Sequence, residues 1–248
     1  MRAAAPGNPA RLRRPLPSPV PPHPLDARIT AERARNYRQV LARRVQRLVV
    51  VVEDCFDPHN ATAILRTCDA CGIHRVLVTT ARNAFRVSER VSQGVERYLD
   101  LRVLPGIEAA ADWLRARGYR IIVSDLAAEA VVGPQALRAQ LASAPLAVVF
   151  GNEGHGISER ARALADGCFL LPMCGFAQSL NLSVSVAMTL QALRGEELAA
   201  DAPGDLPAEE QIATYDLWVR RYCGEAAPAP AGAPATDHRG APVIEYRA

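Results

Sequence analysis

The chain has 248 residues, is 49% hydrophobic and 22% charged, and carries a formal net charge of +3. This length supports one or two domains with a sizeable core, and the composition excludes a disordered or fibrous chain. It contains no apolar run near the ~20 residues of a membrane span and no apolar export segment at its start, and its six cysteines are too sparse for a disulfide scaffold, which together predict a cytoplasmic protein with reduced thiols.

Residues 1–25 contain eight Pro and no periodic apolar pattern, so they are expected to form a disordered leader. Residues 26–47 read as a basic N-terminal helix. Thr30 suits its N-cap, and Tyr37, Val40, Leu41 and Val45 are spaced for one face. All 29 basic residues are Arg, and residues 1–47 hold 11 of them against Asp26 and Glu32, a local charge of +9 on a body of −6. A basic arm on a mildly acidic body suits a polyanion, nucleic acid first of all. Arg28, Arg33, Arg35, Arg38, Arg43, Arg44 and Arg47 are its candidate phosphate contacts. A genome that writes every basic residue as Arg accounts for the same excess without a partner.

Strand and helix signals then alternate. Strands are predicted over 48–53, 75–80, 98–104, 119–125, 146–151 and 168–173. Helices are predicted over 60–71, 107–117, 134–141, 158–165 and 181–194, the first two closed by Gly72 and Gly118. Such alternation predicts an α/β domain over 48–195, a mostly parallel sheet with helices on both faces. Residues 196–206 read as a polar linker. Pro207 opens a last helix to 223, whose Ile212, Tyr215, Trp218, Val219 and Tyr222 form a face too apolar to stay exposed, and a subunit contact is expected there. Residues 224–248 are Ala/Pro-rich and are expected to be a disordered tail.

Four stretches could carry chemistry. Cys68-Asp-Ala-Cys71 lies inside an apolar helical stripe with no second ligand pair, so core cysteines are the expectation and no metal is assigned. Gly151-Asn-Glu-Gly-His-Gly156 follows a buried strand, and its three Gly let backbone pass close to a ligand. Its spacing is neither that of a dinucleotide fingerprint nor that of a P-loop. Between Glu53 and Arg66, Pro58 bars helix before it and Asn60 is placed to cap the helix after it. From Pro172 to Ser185 a strand ends, and polar Gln178, Ser179, Asn181 and Ser183 open an otherwise apolar helix. Helix-start N–H groups joined by amides and hydroxyls suit a polar ligand, although capping alone also explains Ser179 or Asn181.

In this order, three of these stretches resemble the signature motifs of the SpoU/TrmH family of SPOUT-class RNA ribose 2′-O-methyltransferases. The first runs from Asn60 to Arg66. The second is Phe150-Gly-Asn-Glu-Gly-His-Gly-Ile-Ser158. The third is Leu171-Pro-Met173, continuing to Ser179-Leu-Asn-Leu-Ser183. The likeness covers about residues 48–195.

The resemblance implies a deep C-terminal trefoil knot, which ordinary connection rules disfavour. It implies S-adenosyl-L-methionine as methyl donor, held by Phe150, Gly151, Asn152, Glu153, Gly154 and Gly156 of the second motif and by Leu171, Pro172, Met173, Ser179, Leu180 and Asn181 of the third. A homodimer with sites near the subunit interface is also implied. Asn60, Arg66, Glu153, Ser179 and Asn181 match the family's catalytic positions. Arg66 would help activate the ribose hydroxyl, Glu153 would orient Asn60, and Ser179 and Asn181 would shape the site. The sulfonium loses its charge on transfer, so the resemblance implies no metal. Within the family the likeness is greatest to tRNA guanosine-2′-O-methyltransferases acting in the D-loop. A ribosomal RNA methyltransferase is the alternative within the class, and a catalytically silent RNA-binding protein the alternative outside it. Ser92-Gln-Gly-Val-Glu-Arg-Tyr98 departs from the tRNA-enzyme pattern, with Glu96 an acid where RNA is expected.

Overall fold

In the computed structural model, which describes residues 14–83, 85–87, 94–126, 131–225 and 245–246, the strands are β1 (Leu48–Glu53), β2 (Arg75–Thr79), β3 (Arg86–Val87), β4 (Asp100–Leu104), β5 (Arg120–Ser124), β6 (Val131–Val132), β7 (Leu146–Phe150), β8 (Gly167–Leu170) and β9 (Glu245–Tyr246). The helices are α1 (Ala31–Leu41), α2 (Pro58–Ala70), α3 (Ile107–Arg115), α4 (Arg138–Ser143), α5 (Glu159–Leu164), α6 (Leu182–Ala199) and α7 (Ala208–Cys223). Seven strands form one sheet in the order β4-β2-β1-β7-β5-β8-β6, and every pairing is parallel. β3 and β9 form a separate two-residue ladder.

The central strands are apolar along their whole length because helices cover both faces. Val50, Val52, Val76, Val148 and Phe150 point to one side, where they meet Ile64 and Leu65 of α2 and Val186 and Leu190 of α6. Val49, Val51, Leu77 and Val149 point to the other, against Ala110 and Leu114 of α3 and Ala161 of α5. The chain runs outward from β1 to β2 and β4, then crosses to β5 beyond β7. The carboxyl ends of β1 and β7 therefore frame the switch point where open α/β sheets bind ligands.

Local chemistry moves some predicted boundaries. α2 starts at Pro58 because Asp57 caps it, accepting from the His59 N–H at 2.9 Å, with Pro at the first helical position. Asn60 is therefore not the cap. Pro134–Leu137 is a 3-10 turn leading into α4, and α6 runs on through Ala199 into the expected linker. Thr30 caps α1 as its side chain predicts, accepting from the Arg33 N–H at 3.1 Å. Cys68 is buried on the inner face of α2, and its burial pushes the thiol up in pKa.

The N-terminal segment corrects the expected disorder. Residues 1–13 lie outside the described residues, but residues of 14–25 contact α1 and α7. Leu16 exchanges two hydrogen bonds of 2.8 Å with the Gln39 amide. Arg38 donates to the Val20 and Pro21 carbonyls, and Arg43 to the Arg14 carbonyl. A Pro-rich strand has few N–H groups to satisfy, and helix side chains here bind its backbone. Residues 226–244 and 247–248 of the expected tail lie outside the described residues.

The segment also explains where the apolar face of α7 goes. Tyr215, Trp218 and Val219 are buried with Val20, Tyr37, Leu41 and Leu206 of the same chain. The Trp218 ring meets Tyr37 and Tyr98 edge-on, each at 5.4 Å between centroids. Ile212 and Tyr222 remain exposed. The expected subunit contact through Trp218 thus gives way to an intrachain one. Trp218→Ala should cost about 3–5 kcal/mol, visible as a melting temperature lowered by roughly 6–20 °C for a chain of this size. A calorimetric scan showing no change would place the Trp218 contact outside the stable fold.

Candidate active site

The short loop between β1 and α2 lies at the switch point, and a carboxylate from the loop after β7 organises it. Glu153 Oε1 accepts from the Asp57 N–H (3.2 Å), the Cys55 thiol (3.2 Å) and the Asn60 amide Nδ2 (3.1 Å), while Oε2 accepts from the Phe56 N–H (3.0 Å). Burial alone would raise the Glu153 carboxyl pKa, but the donors from Phe56, Asn60 and Cys55 outweigh it and hold the group below the usual carboxylate range. Burial, then the Glu153 charge, pushes the Cys55 thiol up and keeps it a donor.

From Glu153 a chain of amides reaches the third motif. Asn60 Oδ1 accepts from Asn181 Nδ2 at 2.9 Å. Asn181 caps α6, its Oδ1 accepting from the N–H groups of Ser183 (2.8 Å) and Val184 (3.3 Å). The polarity is determined at both ends. Backbone N–H groups can only donate, so Asn181 must present oxygen to them; an ionised carboxylate can only accept, so Asn60 must present its NH2 to Glu153. Each amide is thereby locked in one orientation.

The second-motif loop is built to turn tightly. Asn152 and Gly156 exchange two backbone hydrogen bonds of 2.9 Å. A Cβ on Gly151 would come within 2.1 Å of the Gly156 carbonyl carbon, so only Gly fits. Gly156 has φ +67°, which favours glycine as well. Asn152 Oδ1 accepts from the Gly154 N–H at 2.8 Å, and its Nδ2 donates to the Asp54 carbonyl at 2.7 Å. Gly154 is exposed. Phe150 and Leu171 are buried, so their side chains belong to the core and only their backbone can face a cofactor. Pro172, Met173 and Ser179 lie on an exposed loop, with Leu180 half-buried at its end.

The structure thus brings Asn60, Glu153 and Asn181 into direct contact, and places Arg66 on the exposed side of α2. The arginine arm divides. Arg44 cannot contact phosphate: its side chain is 0% exposed and donates to Asp69 (2.5 Å) and to the carbonyls of Ile73 and Tyr98. Arg38 and Arg43 are largely buried and spent on Asp26 and Asp201. Arg28, Arg35 and Arg47 are exposed and Arg33 half-buried, with Arg28 paired to Glu225, Arg47 to Asp205, and Arg33 over the Tyr222 ring at 3.9 Å. Much of the charge asymmetry is therefore internal, a basic arm neutralised by acids of the body. Ser92 and Gln93 of the stretch that departs from the tRNA-enzyme pattern lie outside the described residues, and Glu96 is buried.

Several residues at the switch point carry no signal that residue-type patterns detect. Glu53 ends an otherwise apolar strand, is buried, and accepts from the Ser158 hydroxyl at 2.6 Å and its N–H at 3.0 Å, tying the second motif to β1. An acid closing a buried strand is the one trace it leaves in the sequence. Asp54 has φ +51°, a strained value for a non-glycine residue, and its Oδ1 accepts from the Arg82 N–H at 2.9 Å. The same region lines an open cleft of about 950 Å³ reaching the starts of α3 and α5.

A family model for the SpoU rRNA Methylase family matches residues 47–191. The chain is 36% identical over 195 residues to a tRNA (guanosine(18)-2′-O)-methyltransferase of Thermus thermophilus, covering 77% of this chain and 98% of the relative. It is 34% identical over 152 residues to the Escherichia coli protein of that name, covering 61% and 65%. The crystal structure of the A. aeolicus TrmH/SpoU tRNA modifying enzyme superposes with a TM-score of 0.68 at 26% identity, covering 77% of this chain and 96% of that one.

Proposed function

The chain belongs to the SpoU methylase family, and from that membership we propose that it transfers a methyl group to the ribose 2′-hydroxyl of a D-loop guanosine in tRNA, as the name of its Thermus relative states for guanosine 18. The observation that carries the reading is the hydrogen-bonded chain Glu153–Asn60–Asn181, which joins all three motifs at the switch point. S-adenosyl-L-methionine supplies the methyl group in this reading. The residues fit such a cofactor: Gly151, Gly154 and Gly156 keep side chains out of the turn where a Cβ at Gly151 would clash, and the exposed third-motif loop runs into Asn181.

The protein's own groups then have distinct tasks. Glu153, held ionised, fixes the Asn60 amide and the loop that carries it. Asn181 passes the same orientation to the start of α6, where Ser179 shapes the neighbouring loop. Arg66 cannot serve as an ordinary base, because a guanidinium stays protonated; it holds the hydroxyl against an adjacent RNA phosphate, which takes the hydroxyl proton as the methyl group is transferred, and stabilises the charge that develops. The exposed Arg28, Arg35 and Arg47, with Arg33, are the arm's proposed phosphate contacts. The reading includes a C-terminal trefoil knot around α6, a homodimer and a cytoplasmic location. Among the described residues no helix is long and apolar enough to cross a membrane.

The test is methyl transfer from labelled S-adenosyl-L-methionine to tRNA transcripts, with nucleoside mass spectrometry of the product. 2′-O-methylguanosine should form on a transcript with a D-loop guanosine and vanish when that guanosine is replaced by adenosine. Transfer to ribosomal RNA fragments in place of tRNA would overturn the substrate, and no transfer to either RNA would overturn the enzyme.

A further inference from the structure

Phe56 is the residue at the switch point for which the reaction above has no use. It follows Cys55 on the β1–α2 loop, and the residue is 71% exposed. Its backbone is nonetheless immobilised, since the Phe56 N–H donates to Glu153 Oε2 at 3.0 Å and the flanking Cys55 and Asp57 donate to Oε1. The ring is thus presented at a fixed place, four residues before Asn60, as an open aromatic face.

Phe56 lines the cleft of about 950 Å³ together with Asn83, Glu108 and Arg160, beside the loop of residues 152–156 assigned to the cofactor. The other groups there are mostly polar. Arg160 Nε donates to Glu108 Oε1 at 2.8 Å, and both side chains are more than half exposed. An aliphatic protein patch would strip water from this ion pair and put nothing in its place. A nucleobase has the complementary form: an apolar face for an aromatic ring, and an edge of donors and acceptors for a carboxylate and a guanidinium.

We propose that this cleft receives the base of the nucleotide being methylated, with Phe56 stacking on its face. The inference rests on the reading of the chain as an RNA ribose methyltransferase. Phe56 is then a substrate-binding residue, holding the base while the ribose faces the Asn60 end of the loop; stacking of this kind does not select among bases.

The test uses the full chain and tRNA transcripts, comparing wild type with Phe56→Ala and Phe56→Tyr. Alanine keeps the backbone N–H, so the Glu153 contacts and the dissociation constant for S-adenosylhomocysteine should stay unchanged. Loss of one stacked base should raise KM for tRNA, or lower kcat/KM, roughly 10-fold or more, and Tyr should restore it. A tRNA with 2-aminopurine at the target position should lose fluorescence on binding wild type and Phe56→Tyr, but not Phe56→Ala. Unchanged kcat/KM and unchanged quenching in Phe56→Ala would overturn the proposal, as would a shift of Phe56→Ala toward monomer in light scattering, which would assign the ring to a second copy. A wild-type protein that methylates no transcript would instead defeat the underlying functional reading.

Discussion

Glu153→Gln should lower kcat for methyl transfer about 100-fold, the scale expected when a positioned group is displaced by about an ångström. The two side chains have almost the same shape, so the effect isolates hydrogen-bond polarity. Glu153 receives four donors, from Cys55, Phe56, Asp57 and Asn60. Glutamine can accept at one oxygen only, and its NH2 must face at least one of those donors. If it faces Asn60, the amide turns over and presents nitrogen to Asn181, and the relay loses its direction. If it faces Phe56, the loop carrying Asn60 shifts. Stability should also fall, toward the low end of the ~1–3 kcal/mol of a lost charge-assisted bond because the site is partly solvated. The sign with pH follows from the depressed Glu153 pKa: its contribution is present above the ordinary glutamate value of 4.5 and disappears as pH falls through the lower folded value. The melting-temperature gap between wild type and variant should hold at neutral pH and close in acid. Near-normal turnover by Glu153→Gln would show that the Asn60 amide is oriented by something else.

The parallel sheet was legible because its central strands are buried on both faces and so read as unbroken apolar runs, as in Val49 to Val52 and Leu146 to Phe150. Boundaries were less legible where two caps compete. Asn60 and Asp57 are both good N-caps, and Pro58 decides for Asp57 by fitting the first helical position, which frees Asn60 to face Glu153. The residue that looked like a cap by type is thus available to the site. The arm misled in a different way. Its Pro content suggested disorder and its Arg content suggested RNA, yet Arg38 and Arg43 hold the Pro-rich backbone and Arg44 is buried. Composition reports charge but not its partner, and Asp26, Asp69 and Asp201 are scattered along the chain. The contacts among Glu153, Asn60 and Asn181 span more than 90 residues in sequence, so only the folded sheet, or likeness to a family, brings them together.

That intrachain role of the arm changes which substitutions can test catalysis. Deleting residues 1–47 would expose Trp218 and Tyr215 and confound RNA binding with unfolding. Arg66 offers a cleaner test, because it lies on the exposed side of α2 and Ala is the best helix former at such a position. Arg66→Ala should lower kcat by about 100–1,000-fold, the effect of removing one preorganised donor from a developing oxyanion. The dissociation constant for S-adenosylhomocysteine should barely move. Arg66→Lys should recover little, since an ammonium lacks the planar fork that can bridge the hydroxyl and an adjacent phosphate. Added guanidinium should partly restore the alanine enzyme, because it returns the missing donor without a tether. These outcomes separate positioning from simple charge: if Lys restores most of the rate, a positive charge suffices, and if Ala itself turns over normally, the ribose hydroxyl is activated without Arg66.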